Sequence, residues 1–397
     1  MESLESSDLP PSNELSILVL TSSFPRSDGD YPGSFIQKSS EALTSRGMRV
    51  HVLCPADNVF SDYTPPGVSV TRFNYFFPKK YQMLAYRGGM TFNINNSKLA
   101  FLQLPFFLLS FLFQALGLSL HVNLLHANWL FPAGLVGVVC RILTRKPLII
   151  TIRGSDVNLA EGTMKKYFLR SIAYKADAII CVSKELKHKL LLWGLPPDFI
   201  RSFPDGVDLP NESFSRDHNS IIFIGRLAPE KRVEDLIEAT EILSKNHIFH
   251  LKIAGDGPLK EKLFEQVTRI DGCVDTDFLG RIPRKEVPNL LSRSTIFVLP
   301  STSEGLPDTL LIAMACGTPI LGTRIPGIQQ VIEEESTGLL VNPRSPRELA
   351  RILEYMIEKP CLSKRLGLRA QRVAKHKYSR PKLNEKLISI YRQNICI

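Results

Sequence analysis

A chain of 397 residues is long enough to bury two cores, and 44% hydrophobic against 22% charged residues is ordinary globular composition, which excludes wholesale disorder. The formal net charge of +10 suits an anionic partner, yet the chain has no long basic run and no DNA- or RNA-binding signature, which excludes nucleic acid. Seven scattered cysteines (Cys54, Cys140, Cys181, Cys273, Cys316, Cys361, Cys396) form no C-x-x-C pair and fall mostly in apolar runs, which points to reduced thiols, a cytoplasmic setting and no zinc site.

The opening "MESLESSDLPPSN" is acidic and polar, lacks the basic start and apolar core of a signal peptide, and reads as a disordered tail over residues 1–14. From Leu15, short apolar β-branched runs alternate with helix-period segments. "LSILVLTS", "RVHVLCP", "VNLLHAN", "PLIITIRG" and "DAIICVS" read as buried parallel strands, with helices such as Phe35–Arg46 and Lys184–Trp193 between them. A second series runs through "SIIFIGR", "HLKIAGDG", "TIFVLP" and "PILGT". The alternation predicts two doubly wound α/β domains, 15–208 and 209–375, with the polar stretch Leu209–Asn219 as linker. A last helix, Arg380–Asn394 within 376–397, is too short to be a domain and is expected to pack across one.

Leu99–Leu120 carries no charge and has the length of a membrane span. Pro105 starts rather than interrupts its helix, leaving about 15 residues, or about 22 Å, against a hydrocarbon core of about 30 Å. Gln103, Ser110 and Gln114 are expected on one face, and a span here would split one sheet across a membrane. The segment is therefore expected to pack on the N-terminal domain, with peripheral membrane contact as the alternative use of its surface. Between Val59 and Ile200 there are 16 Lys/Arg against 6 Asp/Glu. A solvated basic surface and a face for a membrane or an anionic acceptor both account for that excess.

In "FIGRLAPEKRVEDLIEA" a strand ends at Ile224, Gly225 follows, and Arg226 and Lys231 bracket a turn before a helix. Two cations at a strand's carboxyl end suit a diphosphate, Arg as a planar fork of donors and Lys as a point charge. In "SEGLPDTLLIAMACGTPI", Pro307 suits a first helical position and Gly317 a stop, giving a helix over Asp308–Cys316. The free N–H groups at Gly305–Asp308 then form an anion site aided by the helix dipole. Glu304, just outside, is placed either to accept hydrogen bonds from sugar hydroxyls or simply to complement that dipole. His126 and Asn128 flank Ala127 at a strand end, where an acceptor contact and a satisfied structural histidine are competing accounts.

"GRLAPEK", "AGDGP", "FLGRIPRKEVPNLL" and "LPSTSEGLP…AMACGTPI", in this order, resemble the C-terminal domain of the family 4 retaining glycosyltransferases. "LVLTSSFPRSDGDYPGSFI", "HANWLFPAG" and "FPDGVDL" are similar to that family's N-terminal half. The resemblance runs from about Leu15 to Ile397 and implies the α/β GT-B fold: two Rossmann-like doubly wound domains facing a cleft, with a C-terminal helix crossing back to the first. It implies a nucleoside diphosphate sugar as donor, held mainly by the second domain, and no cofactor or metal. Arg226 and Lys231 would hold the diphosphate and stabilise the leaving charge. Glu304 would contact the transferred sugar, Gly305, Leu306 and Pro307 would line its face, and the base would lie near Arg281 and Ile282. Gly33 would allow close backbone approach.

Three departures from the family pattern stand out. A second Glu usually bonds the ribose where this chain has Ile312, and Asp308, one turn earlier, is the candidate substitute. His-Gly-x-Asp is replaced by "RGSD", so Arg153 stands where a histidine would share a proton, and Asp156 keeps the acidic place. Gln330 replaces a Glu frequent after "PGI". The leading expectation is a retaining hexosyltransferase acting on a lipid-linked or polysaccharide acceptor, cytoplasmic and peripheral at the inner membrane face. A GT-B scaffold or nucleotide-sugar-binding protein without turnover is the alternative that Arg153 and Ile312 suggest. A nucleotide-sugar epimerase would need more acid/base groups than Glu304 supplies.

Overall fold

The computed structural model describes residues 15–395 apart from 31, 58–62, 87–88, 155–156, 158–162, 211–216, 218 and 271–273. The expected tail, Asp156 and most of the expected linker lie outside the described residues. The chain divides into two compact units, one comprising residues up to Asp205 together with those from Leu383, the other Gly206–Lys382.

The first unit is built on a seven-stranded parallel sheet: β1 (Ser16–Leu20), β2 (Arg49–Pro55), β3 (Ser69–Phe73), β4 (Leu124–Asn128), β5 (Leu148–Ile152), β6 (Ala178–Cys181) and β7 (Ile200–Ser202). Their spatial order is β3-β2-β1-β4-β5-β6-β7. Strand β1, SILVL, is buried at every position, which a parallel sheet covered on both faces requires. Its side chains still alternate between two cores. Leu18 and Leu20 join Phe107, Phe111, Leu148 and Ile150 on one face, while Ile17 and Val19 meet Ile36, Leu43, Leu387 and Tyr391 on the other. Register follows the same logic, Ile17 pairing with Val50 on one side and Leu124 on the other.

The helix Leu104–Ser119 begins with Pro105 in its first turn, as its sequence predicts. Phe107 and Phe111 are fully buried against Phe73, whose ring stacks on Phe111 at 4.7 Å between centroids. Each such phenyl contributes on the order of 2–3 kcal/mol by leaving water. Gln103 is not on a polar face but buried, donating to Tyr81 O (2.6 Å) and accepting from Met83 N (3.0 Å).

The second unit has a six-stranded parallel sheet: β8 (Ser220–Ile224), β9 (His250–Ala254), β10 (Asp275–Gly280), β11 (Ile296–Leu299), β12 (Ile320–Thr323) and β13 (Leu339–Val341), ordered β10-β9-β8-β11-β12-β13. One core of aliphatic side chains, among them Ile222, Ile253, Val298 and Leu321, joins it to its helices. In both sheets the strand order reverses beside the first strand, between β1 and β4 and between β8 and β11. Ligands of open α/β sheets bind outside the carboxyl ends of such strands.

The last helix, Arg380–Ile395, is bonded at its start to the second unit: Arg380 donates to Asp208 Oδ1 and Val207 O. From Leu383 it belongs to the first, burying Leu387, Ile388, Ile390 and Tyr391 there.

Candidate functional site

The crevice between β8 and β11 collects the second unit's chemistry. After Ile224 come Gly225, the exposed Arg226 and a short 3-10 turn, Pro229–Lys231. After Leu299 the chain runs through Ser301 and Glu304 into the helix Asp308–Ala315, which Pro307 caps rather than starts and which ends one residue earlier than its sequence predicts. The two loops are laced together: Thr302 N donates to Glu230 O at 2.8 Å. Lys231 Nζ reaches Glu304 Oε1 at 2.5 Å, and Ser301 Oγ donates to the same oxygen at 2.6 Å. Ser301 is itself fully buried and its carbonyl accepts from Thr323 Oγ1. Glu304 is thus fixed by Lys231 and Ser301, while the Arg226 side chain forms no hydrogen bond or ion pair among the described residues.

The N–H groups of Gly305, Leu306 and Asp308 donate to no acceptor among the described residues. With Lys231 and the exposed Arg226 on the adjoining β8 loop, these N–H groups offer donors to an anion at the helix N-terminus. A third loop supports it. Gly327 lies so close beneath that a Cβ there would stand 2.3 Å from Glu304 O and 2.6 Å from Gly305 O. Gln330 Nε2 donates to Gly305 O (2.9 Å) and to Gly327 O (3.2 Å). An ionised Glu has no N–H to give, so the amide at 330 has a local reason.

The helix body is apolar because it is buried; Ile312 is 9% exposed and belongs to the core. Asp308, the candidate substitute for a carboxylate there, is paired with Arg284 at 3.0 Å. Arg281 is exposed and Ile282 packs partly against the core, both just past the end of the edge strand β10.

In the first unit, Gly33 caps the helix Ser34–Thr44 with φ 73°, where a Cβ would stand 2.4 Å from Ser23 O, so only glycine fits. Arg153 follows β5, but it is not presented as a lone cation. It pairs with Asp205, donates to Asn128 Oδ1 (3.1 and 3.3 Å) and stacks 3.7 Å above the Phe35 ring. His126, at 7% exposure, is the satisfied structural histidine: Nδ1 lies 2.7 Å from Tyr391 Oη and Nε2 lies 2.8 Å from Thr151 Oγ1. Burial first, then the Arg153 cation, push its pKa down to about 3, so the ring is neutral. These contacts make His126 a pin between β4 and the last helix, which is the structural account of its place. A cavity of about 30 Å³ beside it, lined by Asn128, Arg153 and Asp205 among others, has room for a water.

Sequence reasoning missed Ser301, Arg284 and Tyr391. Ser301 carried a signal, a hydroxyl three residues before Glu304; the partners of Asp308 and His126 are 24 and 265 residues away and carried none.

Comparison with known proteins agrees with this layout. Residues 208–373 match the family model of glycosyl transferases group 1, and residues 33–210 match glycosyltransferase family 4. An uncharacterized glycosyltransferase of Methanocaldococcus jannaschii is 31% identical over 250 residues, 62% of this chain and 68% of that protein. A putative teichuronic acid biosynthesis glycosyltransferase of Bacillus subtilis is 29% identical, over 59% of this chain and 61% of its own length. Among solved structures, HepE of Anabaena in complex with UDP superposes with a TM-score of 0.74 at 18% identity, covering 96% of this chain and 100% of its own. Sucrose-phosphate synthase from Thermosynechococcus elongatus gives 0.76 at 21% identity, covering 96% and 99%.

Proposed function

We propose, for a chain that belongs to the family 4 glycosyltransferases and has their GT-B fold, that it moves a hexose with retention from a nucleoside diphosphate sugar to a lipid-linked or polysaccharide acceptor. The observation that carries this reading is the donor-rich rim of the β8/β11 crevice: exposed Arg226, Lys231 tied to Glu304, and the N–H groups from Gly305 to Asp308 that donate to no acceptor among the described residues.

In this reading Arg226 and Lys231 take the diphosphate. An ammonium has three N–H donors, and the one turned to Glu304 leaves others for phosphate oxygens. As the bond to the sugar breaks, these cations and the helix terminus stabilise the leaving charge without reorganising, and the reading requires no metal. Glu304, already fixed by Ser301, accepts from sugar hydroxyls. Gly225 and Gly305–Pro307 give the donor close approach, and Arg281 and Ile282 flank the base. With Ile312 buried, no carboxylate is available at that position for the ribose. Arg153, engaged with Asp205, Asn128 and Phe35, is a positioning residue on the acceptor side. HepE, solved with UDP and glucose, makes uridine sugars the first donors to try, and the Bacillus subtilis relative's name supports a polymer acceptor.

A thermal-shift screen of UDP-, GDP- and ADP-sugars is expected to single out one base. A ligand at 100 times its Kd stabilises by about 2.7 kcal/mol. The chosen donor should then be hydrolysed slowly without acceptor. Binding with no sugar release from any donor would instead establish a scaffold.

Gln330→Glu puts a carboxylate against two carbonyl oxygens and loosens the Glu304 loop. Nucleotide affinity is expected to fall about tenfold, the effect of about 1–1.5 kcal/mol, with only a small change in melting temperature. Unchanged affinity on titration would remove Gln330 from the site.

A further inference from the structure

From Tyr63 to Ser155 the sequence contains no Asp and no Glu, but nine Lys and Arg. This stretch includes the helical run Lys98–Ser119, the one helix among the described residues long and apolar enough to cross a membrane. The fold has already used one side of it: Ala100, Gln103, Phe107, Phe111, Ala115 and Ser119 point inward and are buried. The opposite side repeats the same three-and-four spacing with apolar residues. Leu102, Phe106, Leu109 (65% exposed) and Phe113 (78% exposed) form a ridge facing water. An ordinary surface helix would carry charges there.

The ridge has neighbours of the same kind. Gln103 holds the backbone of Tyr81 and Met83, and Ser110 Oγ donates to Asn74 O at 2.7 Å, so residues 74–83 run alongside the helix. Phe76 packs edge-on against Phe106, and Phe77 is 87% exposed. The exposed lysines of this strip are Lys79 and Lys80 on the adjoining turn and Lys98 at the head of the helix. An exposed apolar ridge edged by lysines, on a stretch of chain that carries no carboxylate, is chemically incomplete in water.

We infer that this face of the first unit docks on a lipid bilayer with anionic headgroups. The Leu102–Phe113 ridge and Phe77 enter the headgroup–acyl boundary, and Lys79, Lys80 and Lys98 pair with lipid phosphates. Charge is what selects a bilayer over a second copy of the chain: apposing two copies would bring together two stretches of chain whose charged side chains are all Lys and Arg. The helix lies in the interface and does not span, because its inner side is the core of the sheet. The inference concerns the first unit and stands whether or not the second binds a nucleotide-sugar; an acceptor with a lipid portion would be met at this surface.

Co-flotation of the full chain with vesicles tests it. At low salt the protein is expected to float with phosphatidylglycerol/phosphatidylcholine vesicles. It should float several-fold less with phosphatidylcholine alone, and less again in about 0.5 M salt, where the Debye length is only a few ångströms. Leu109→Ser combined with Phe113→Ser should lose at least tenfold in bound fraction, and Lys79→Glu with Lys98→Glu should lose the anionic-lipid preference. All four positions are exposed, so melting temperature and nucleotide binding should be unchanged, which separates a failed surface from a failed donor site. Wild-type protein that stays at the bottom of every gradient overturns the inference, and so does a serine variant that floats as well as wild type. A wild-type dimer that the serine variant converts to monomer, with neither floating, would assign the ridge to a second copy instead.

Discussion

Lys231→Ala is expected to lower turnover by about 10²- to 10³-fold, the loss typical when one preorganised partner of developing charge is removed. It should also lower stability, and the two losses have different causes. Lys231 and Glu304 are both largely buried and 2.5 Å apart. Removing the ammonium leaves the Glu304 carboxylate with Ser301 alone, and breaking a fully buried pair costs about 3–5 kcal/mol; partial exposure here puts the expectation at the lower end. Arg226→Ala provides the control. Arg226 is exposed and its side chain forms no bond among the described residues, so its loss should leave the melting temperature within about 1 °C, the effect of a surface change, while turnover falls by a similar factor. Donor hydrolysis measured beside a thermal melt separates the effects. Near-normal rates in Arg226→Ala would refute the diphosphate assignment outright, because no change in fold could be hiding them.

How much of this was legible from residues alone is itself physically ordered. Every strand in the interior of either sheet, from β1 and β2 through β11 and β12, was legible from a short, mainly apolar run, interrupted by His51 in β2 and Lys252 in β9. The four that were not, β3, β7, β10 and β13, are the four sheet edges. Edge strands have one neighbour and partial cover, so β3 reads SVTRF and β10 reads DTDFLG, mixed sequences without the parallel-strand signature. β13, LLV, is fully buried but only three residues long. The unit boundary was read at 208 and falls after Asp205, and the return into the first unit was read at 376 and falls at Leu383. Polar composition shifts there more slowly than packing does. In the candidate site, identities local in sequence were readable: Arg226, Lys231 and Glu304 lie in short motifs beside strand ends. What those groups bond to was not. Arg153 as a cation was plain; that Asp205, Asn128 and Phe35 already engage it depends on loops brought together by the sheet.

The same non-local packing makes the stability of the first unit depend on pH. His126 lies buried between Thr151 and Tyr391, and its folded-state pKa of about 3 compares with 6.5 for the free side chain. Above pH 6.5 the ring is neutral in both states and its contribution is complete. Between 6.5 and 3 the unfolded chain binds a proton that the folded chain refuses, so stability falls as pH falls, by about 1.4 kcal/mol per pH unit. From pH 6.5 to 4 this amounts to about 3 kcal/mol. The groups facing His126 act in opposite directions, Arg153 lowering its pKa and Asp205 raising it, and both are smaller than the burial effect. His51, half-buried and bonded to Thr71, has its pKa lowered by burial and adds a loss of the same sign. Both tryptophans, Trp129 and Trp193, belong to the first unit, so intrinsic fluorescence follows its unfolding separately from that of the second. Melts followed this way should drop steeply between pH 6.5 and 4 in wild type. In His126→Gln, whose amide can still bond both Thr151 and Tyr391 but cannot titrate, the slope should be distinctly shallower. Equal slopes in the two proteins would mean that the proton is taken up elsewhere and that the buried His126–Tyr391 contact tolerates a charge.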